Sequence, residues 1–418
     1  MTDFSKLNDY IIDIRRTLHK HPELSGHEFQ TQKLVSNELD KIGIPHRTLH
    51  ETDILAEITG LQTRPAKVTA LQPGKRSKTV LLRADLDALP LTEKSDASYV
   101  SQTPGVMHAC GHDSHTAMLL GAAKLLWDSR DHFSGTVRLM FQPAEETGRE
   151  TRTLIDQGML DGVDTVFAIH VAPDLKTGKI CILPGPCMAG VDDFSIRLTS
   201  PGGHGATPHL GSDTLLAGAH LAVNLQQIVS REIDPQKPAV LTIGIFQAGT
   251  KVNLLAQEAV LSGNIRFFDK ELSGYFKEAL TRYCEHTAAM YRCSFEVTYT
   301  PSLLPTVNDA SCCGTAKNAA LTVWGKDNLI KRPASMTSED FSRYLEAVPG
   351  VMVFLGTSDG TQKTSWPLHH ECFDLDESAL LNGCRLYAAY AWEWLKEKAE
   401  MAENPEDTET AGNECNCR

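Results

Sequence analysis

Apolar residues recur along the chain with two periods, and the alternation between them sets the expected architecture. Phe4, Leu7, Ile11, Ile14 and Leu18 fall at alternating spacings of three and four, which lays one core-facing stripe along a helix ending near His21-Pro22. A second helical pattern runs from about Gln30 to Ile42 and stops at Gly43 and Pro45. The region from there to Lys78 is rich in Thr, Gln and Pro and yields no firm assignment. Thr79 to Ala84, Thr136 to Phe141 and Thr165 to His170 are compact apolar runs of strand length. Between them lie a helix from Ser114 to Trp127, with Asp113 or Ser114 available as its N-cap, and a helical stretch over Thr153 to Gly158. Strand, helix, strand in this order predicts an α/β fold with a mostly parallel sheet.

From Ala189 to about Pro301 the texture changes. Val191 to Leu198 reads as a strand, Asp213 to Ser230 as a helix, Ala239 to Phe246 and Glu258 to Phe268 as strands, Tyr275 to Tyr291 as a helix and Ser294 to Tyr299 as a strand. This β-α-β-β-α-β order predicts a ferredoxin-like module inserted into the first domain. The segment after Ser302 completes that first domain with a strand at Val351 to Leu355 and a last helix. The expected division is 1–188 and 303–400 for the parallel-sheet domain, 189–302 for the insert, and 401–418 for a disordered tail, because Glu403 to Arg418 has almost no apolar residues to bury. No internal repeat is present.

The predicted topology gives the polar residues a common address. Ligands in open α/β sheets bind outside the carboxyl ends of the strands. Asp85 and Asp87, Glu145 and Glu146, and His170 each stand at the end of such a run. Three separate segments thereby bring polar groups to one edge.

Composition narrows the functional classes. The chain has 418 residues, 41% hydrophobic and 22% charged, enough for two domains with substantial cores. A net charge of −13 argues against nucleic acid or anionic lipid as a partner. No stretch of eighteen or more apolar residues occurs and the polar first residues lack a signal-like core, so a cytoplasmic protein without a membrane partner is expected. Eleven cysteines, an odd number, then read mostly as reduced and packed. Cys415 and Cys417 suggest a soft-metal or redox pair, weighed against their place in the tail.

Candidate chemistry concentrates in Met107-His108-Ala109-Cys110-Gly111-His112-Asp113 and in Gln142-Pro143-Ala144-Glu145-Glu146. These supply a thiolate, an imidazole and two adjacent carboxylates, the donors that a borderline-soft divalent cation takes. Blander readings exist: Cys110 as a small buried residue, His112 as a helix cap, the Glu pair as solvated anions at a helix start, and His170 as a core histidine. Two adjacent carboxylates at a strand end repel unless a cation or proton neutralises one. One can then bind metal while the other moves a proton from the attacking water to the leaving nitrogen. His369 and His370 offer one further ligand, and His204, in a glycine-rich turn, is placed to contact substrate or developing negative charge. A cysteine hydrolase using Cys110 as nucleophile, and a binding protein without turnover, are the competing classes.

Five motifs together are more specific than any one. Leu82-Arg83-Ala84-Asp85-Leu86-Asp87-Ala88-Leu89-Pro90, His108-Ala109-Cys110-Gly111-His112-Asp113, Gln142-Pro143-Ala144-Glu145-Glu146, Gly202-Gly203-His204-Gly205-Ala206-Thr207-Pro208-His209 and Ser338-Glu339-Asp340-Phe341 appear in this order. Over about residues 8 to 395 the chain resembles the amidohydrolase branch of the aminoacylase/carboxypeptidase-type metallopeptidases, which includes hippurate hydrolases, N-acyl-amino-acid amidohydrolases and indole-acetyl-amino-acid hydrolases. The resemblance implies a zinc-peptidase-like catalytic domain interrupted by a lid or dimerisation domain, a two-metal centre, and a homodimer formed through the insert. It implies Cys110, His112, Glu146, His170 and His369 as metal ligands, Glu145 as general base and acid, and His204 as the group steadying the oxyanion. Asn253 and Arg266 correspond to lid residues near the substrate. Two divalent ions are implied, with Zn²⁺ favoured on softness and Mn²⁺, Co²⁺ or Ni²⁺ fitting similar donors. The implied reaction is hydrolysis of the amide bond of a small N-acyl amino acid, with dipeptidase or carboxypeptidase action as the alternative. The chain departs from the family where His370-Glu371 replaces the usual Asn-Pro, where Leu254-Leu255-Ala256 follows the lid asparagine, and in a longer Leu61 to Lys78 stretch.

Overall fold

The computed structural model describes residues 3–61 and 77–396. The stretch between Leu61 and Lys78, the 401–418 tail, and with it Cys415 and Cys417, lie outside or at the margin of the described residues.

An eight-stranded sheet organises the larger part of the chain, in the order His46–Arg47, Ile54–Thr59, Thr136–Gln142, Thr79–Asp85, Thr165–Lys176, Gly350–Ser358, Ile180–Cys181 and Leu329–Ile330. Its four central strands are mutually parallel, and antiparallel pairs appear toward both edges. Thr79–Asp85 is buried along its whole length, as a strand covered on both faces must be. Val80, Leu82 and Ala84 enter one core with the helices Phe4–Lys20, His112–Asp128, Ala310–Trp324 and Leu380–Leu395. Leu81 enters a second core on the opposite face, with Met140, Leu154, Phe341 and Tyr344.

A four-stranded antiparallel sheet follows, in the order Ala239–Ala248, Glu258–Phe267, Gly190–Thr199, Ser294–Leu303. With the helices Thr214–Gln227 and Glu271–Tyr291 it has the β-α-β-β-α-β order expected from the sequence. Its core draws only on this segment, including Phe194, Ile196, Leu221, Phe276 and Leu280.

Several expectations need correction. Leu7, Ile11, Ile14 and Leu18 are buried, but Phe4 is 49% exposed and stands outside the core. The long helix begins at His112, with Gly111 as its N-cap at φ 87° and neither Asp113 nor Ser114 in that position. A side chain could not replace Gly111 without strain: its Cβ would lie 2.5 Å from Val171 Cγ2, and the backbone is left-handed there. His170 does not end its strand, which runs on to Lys176. Pairing with Thr79–Asp85 stops at Arg83 opposite Ala168, so His170 still projects at the active edge. The strand Ile54–Thr59 and the helix Ala310–Trp324 were not anticipated. The first sits in a segment whose polar, Pro-bearing surroundings masked a short buried run.

Among the described residues no cysteine is disulfide-bonded, and all are buried except the half-buried Cys293 and Cys372. No helix there is long and apolar enough to cross a membrane.

Candidate metal centre

Four elements converge at the carboxyl edge of the parallel strands. His112 opens its helix, Glu145 and Glu146 follow the strand Thr136–Gln142, His170 projects from its strand, and His369 lies in the loop before the last helix. Two positive φ angles at non-glycine residues mark this region, Ala144 at 55° and His369 at 63°. Such angles persist where surrounding bonds over-determine the backbone. The Ala144 N–H donates to the buried Glu28 Oε1 at 2.9 Å, and the His369 N–H donates to the Ala109 carbonyl at 2.8 Å.

Asp87 holds the centre together. Its carboxylate accepts from the Glu145 N–H at 3.2 Å, the Glu146 N–H at 3.1 Å and Ser25 Oγ at 2.6 Å. His112 Nδ1–H donates to the Asp87 carbonyl at 2.9 Å, with Oδ1 at 3.2 Å. That bond turns Nε2 into the cluster; burial alone would lower the His112 pKa, but Asp85 and Cys110 outweigh it and hold it well above the ordinary value. Among the described residues His112 Nε2 is buried with no hydrogen-bond partner, while Glu146 Oε1 faces His369 Nε2 at 3.3 Å. Nε2 lies 4.0 Å from Glu145 Oε2 and 3.9 Å from Glu146 Oε1. Buried polar atoms are nearly always paired, so an orphaned imidazole nitrogen facing two carboxylates fits a cation.

The remaining donors close around the same space. Cys110 Sγ lies 3.7 Å from His170 Nε2, and His170 Nδ1–H donates to the Val171 carbonyl at 2.8 Å, leaving Nε2 free to ligate. Burial, aided by His115, pushes the His170 pKa down to about 3, so the ring is neutral. His369 Nε2 stands 3.3 Å from Glu146 Oε1, and hydrogen bonding to Cys110 and Glu146 pushes its pKa up to about 10. This is an electronegative locus that welcomes positive charge. Cys110, His112 and His170 bring donor atoms within 4.8 Å of one another, as do Cys110, Glu146 and His369, and His112, Glu145 and Glu146. Asp85, His112 and His115 are equally close, but His115 has no lone pair to give. Its Nδ1–H donates to Asp85 at 2.6 Å, and its Nε2 accepts from the Val171 N–H at 3.0 Å.

Glu145 faces further carboxylates. Burial, then the facing Glu339, Asp340 and Glu146 carboxylates, hold its pKa well above the usual carboxylate range. Beneath it Arg83 is fully buried and spreads its guanidinium over Gln142 at 2.9 Å, Asp85 at 2.7 Å, and Asp340 and Glu339 each at 3.0 Å. The Ser338-Glu339-Asp340-Phe341 motif is therefore the floor of the site.

Of the two late histidines, His369 faces Glu146. His370 instead stacks on Trp366 at 4.2 Å, and its Nδ1 accepts from the Cys372 N–H. His204 is exposed in a two-residue strand paired with Leu254, and its Nδ1 accepts from the Ala206 N–H at 3.0 Å. Asn253 neighbours it through the Gly205 N–H to Asn253 carbonyl bond. None of these bonds reaches the cluster. Arg266 Nη1 donates to the Met336 carbonyl at 2.8 Å, tying the four-stranded sheet to the segment before Glu339. Sequence reasoning missed Arg15, His19, Glu28 and His115 as supports. For Arg83 the available signal was a charge inside an apolar strand.

The chain is similar to known proteins over most of its length. Residues 81–393 match the profile of Peptidase family M20/M25/M40. The chain is 38% identical over 380 residues to an N-acetyl-L-cysteine deacetylase of Bacillus subtilis, covering 91% of this chain and 86% of that protein. It is 37% identical over 392 residues to thermostable carboxypeptidase 2 of Saccharolobus solfataricus, covering 93% and 96%. A crystal structure of a dinuclear metal binding peptidase of the M20 family from Bacillus subtilis superposes with a TM-score of 0.81 at 34% identity, covering 94% of this chain and 99% of that one. The chain belongs to Peptidase family M20/M25/M40, as a metal-dependent amidohydrolase.

Proposed function

We propose that the protein hydrolyses the amide bond of N-acyl amino acids, with Cys110, His112, Glu146, His170 and His369 holding two divalent cations and Glu145 as general base and acid. The observation that carries this reading is the orphaned, buried His112 Nε2, aimed by Asp87 at a space shared with the Glu145 and Glu146 carboxylates. Cysteine and imidazole donors favour Zn²⁺. Bound cations would polarise the scissile carbonyl and acidify the attacking water. Glu145 takes the proton from that water and delivers it to the leaving nitrogen, a role suited to a carboxyl of raised proton affinity. His204, from the 189–302 insert acting as a lid, steadies the oxyanion, and Asn253 and Arg266 contact substrate. The N-acetyl-L-cysteine deacetylase relative supports an acyl amino acid as substrate.

A second copy of the chain covers the insert. Leu215, Leu216 and Val223 on its first helix and Ile245 and Phe246 on its edge strand are exposed apolar residues, an arrangement suited to a homodimer.

Carboxypeptidase action is the second reading, favoured by the carboxypeptidase relative. The test is hydrolysis of N-acetyl, N-benzoyl and indole-acetyl amino acids beside dipeptides, after chelator stripping and reloading with Zn²⁺, Mn²⁺ or Co²⁺. Metal-restored cleavage of acyl amino acids alone supports the proposal. Preference for peptides replaces it with the second reading, and activity that survives stripping overturns the metal mechanism.

A further inference from the structure

The helix Phe4–Lys20 lies outside the residues that match the family profile, yet it reaches the underside of the metal centre. Arg15, on that helix, is fully buried and gives each guanidinium nitrogen a different carboxylate. Nε donates to Asp113 Oδ2 at 3.0 Å, Nη2 to Asp374 Oδ1 at 2.9 Å and Nη1 to Glu377 Oε1 at 3.0 Å. Asp113 directly follows His112. Asp374 and Glu377 belong to the segment that leaves His369, which turns through the Phe373 N–H to His370 carbonyl bond at 2.9 Å. One side chain thus bolts together two segments, far apart in sequence, that carry two of the proposed ligands.

Asp113 is held on every side. His19, one helical turn beyond Arg15, places Nδ1 2.8 Å from the same Oδ2, while Oδ1 accepts from the Ser114 N–H at 2.8 Å. His19 Nε2 lies 3.3 Å from Glu93, whose other oxygen accepts from the Ser101 N–H at 2.7 Å. On the far side Tyr99 Oη donates to Asp374 at 3.0 Å, and its ring lies 4.7 Å from the Arg15 guanidinium. Burying such a charge cluster is a poor way to gain stability, since well-packed apolar residues often do as well or better. Its advantage is geometric, because only a planar fork offers three fixed donor directions.

We propose that Arg15 is a positioning residue that sets the relative placement of His112 and His369, with His19 fixing the Asp113 carboxylate between them. This rests on His112 and His369 being metal ligands. Outer partners of metal ligands typically change affinity by about 10- to 100-fold when removed.

The experiment is a titration of stripped full-length protein with Co²⁺, following stoichiometry, affinity and the visible spectrum, for wild type, Arg15→Lys and Asp374→Asn. Arg15→Lys keeps the charge and loses the fork. Asp374→Asn removes the charge from one of the two carboxylates through which Arg15 holds the His369 segment, at a partly exposed residue, and decides the matter if Arg15→Lys does not fold. Wild type taking up two equivalents, with variants that fold but bind one equivalent about 10- to 100-fold more weakly and with a shifted spectrum, supports the proposal. Folded variants with wild-type affinity and spectrum, whatever their melting temperature, overturn it and leave Arg15 a structural residue. If wild type itself takes up no Co²⁺, the ligand assignment fails and the inference falls with it.

Discussion

At the carboxyl edge of the eight-stranded sheet, Arg83, Asp85, Asp87 and His112 are at most 1% exposed, and charge there is met by charge. In the four-stranded module, by contrast, His204 and Asn253 are exposed, His204 Nδ1 accepting from the nearby Ala206 N–H and the Asn253 carbonyl from the Gly205 N–H. The first region is assembled before any ligand arrives, because buried ionic groups are tolerable only when their partners are already in place. The second leaves its polar groups exposed, where, on the proposed function, they engage a substrate when it binds. On that reading the difference separates a buried, charge-paired catalytic floor from an exposed surface that can set specificity.

Substitutions in the two regions should separate them. Glu145→Gln should lower kcat by at least about 10²–10⁴-fold, the range of general acid–base catalysis, while metal content stays at the wild-type level. Near-normal turnover would remove Glu145 from the mechanism. Arg83→Met leaves Asp85, Glu339 and Asp340 without their shared cation, and denaturant unfolding should show a loss of roughly 3–5 kcal/mol. A loss below about 1 kcal/mol would mean that the floor of the site is not preassembled by charge. His204→Ala should behave in the opposite way, lowering kcat by about 10²–10³-fold with stability changed by no more than about 0.5 kcal/mol. If KM alone rises, His204 binds substrate and does not act on the transition state.

The smallest effect is a pH dependence. Burial alone would lower the His19 pKa, but its bonds to Asp113 and Glu93 outweigh this and hold it at about 8, above the ordinary 6.5. A raised folded pKa means that the stabilisation is complete below about pH 6.5, where folded and unfolded states are both protonated. It then fades as pH rises through about 8, by about 2 kcal/mol in all. His19→Gln should flatten that part of the stability profile. An unchanged slope between pH 6.5 and 8 would assign it to another group.

Legibility in the sequence followed the range of the interaction involved. Helix Phe29–Ile42 ends at Gly43 with φ 90°, as its Gly-containing stop signal implied, because capping is a matter of adjacent residues. Cys110, His112, Glu145 and Glu146 stood out because their donor types cluster within a few residues. The choice between His369 and His370 did not, since it depends on which ring faces Glu146 and which stacks on Trp366. The expected N-cap at Asp113 or Ser114 failed for the same reason: Asp113 is claimed by Arg15 and His19, two residues from the other end of the catalytic half.

The periodicities, and with them the parallel sheet, the β-α-β-β-α-β insert and the edge where polar residues gather, are written in the order of residues along the chain. Those follow from local stereochemistry and from the burial of apolar stripes, which every short window of the chain carries. Only the tertiary structure decided which nitrogen of His112 is free, which late histidine joins the cluster, and that Arg15 and Arg83 each gather carboxylates from distant segments. Those outcomes rest on directional bonds between residues remote in sequence, whose partners exist only once the chain has folded.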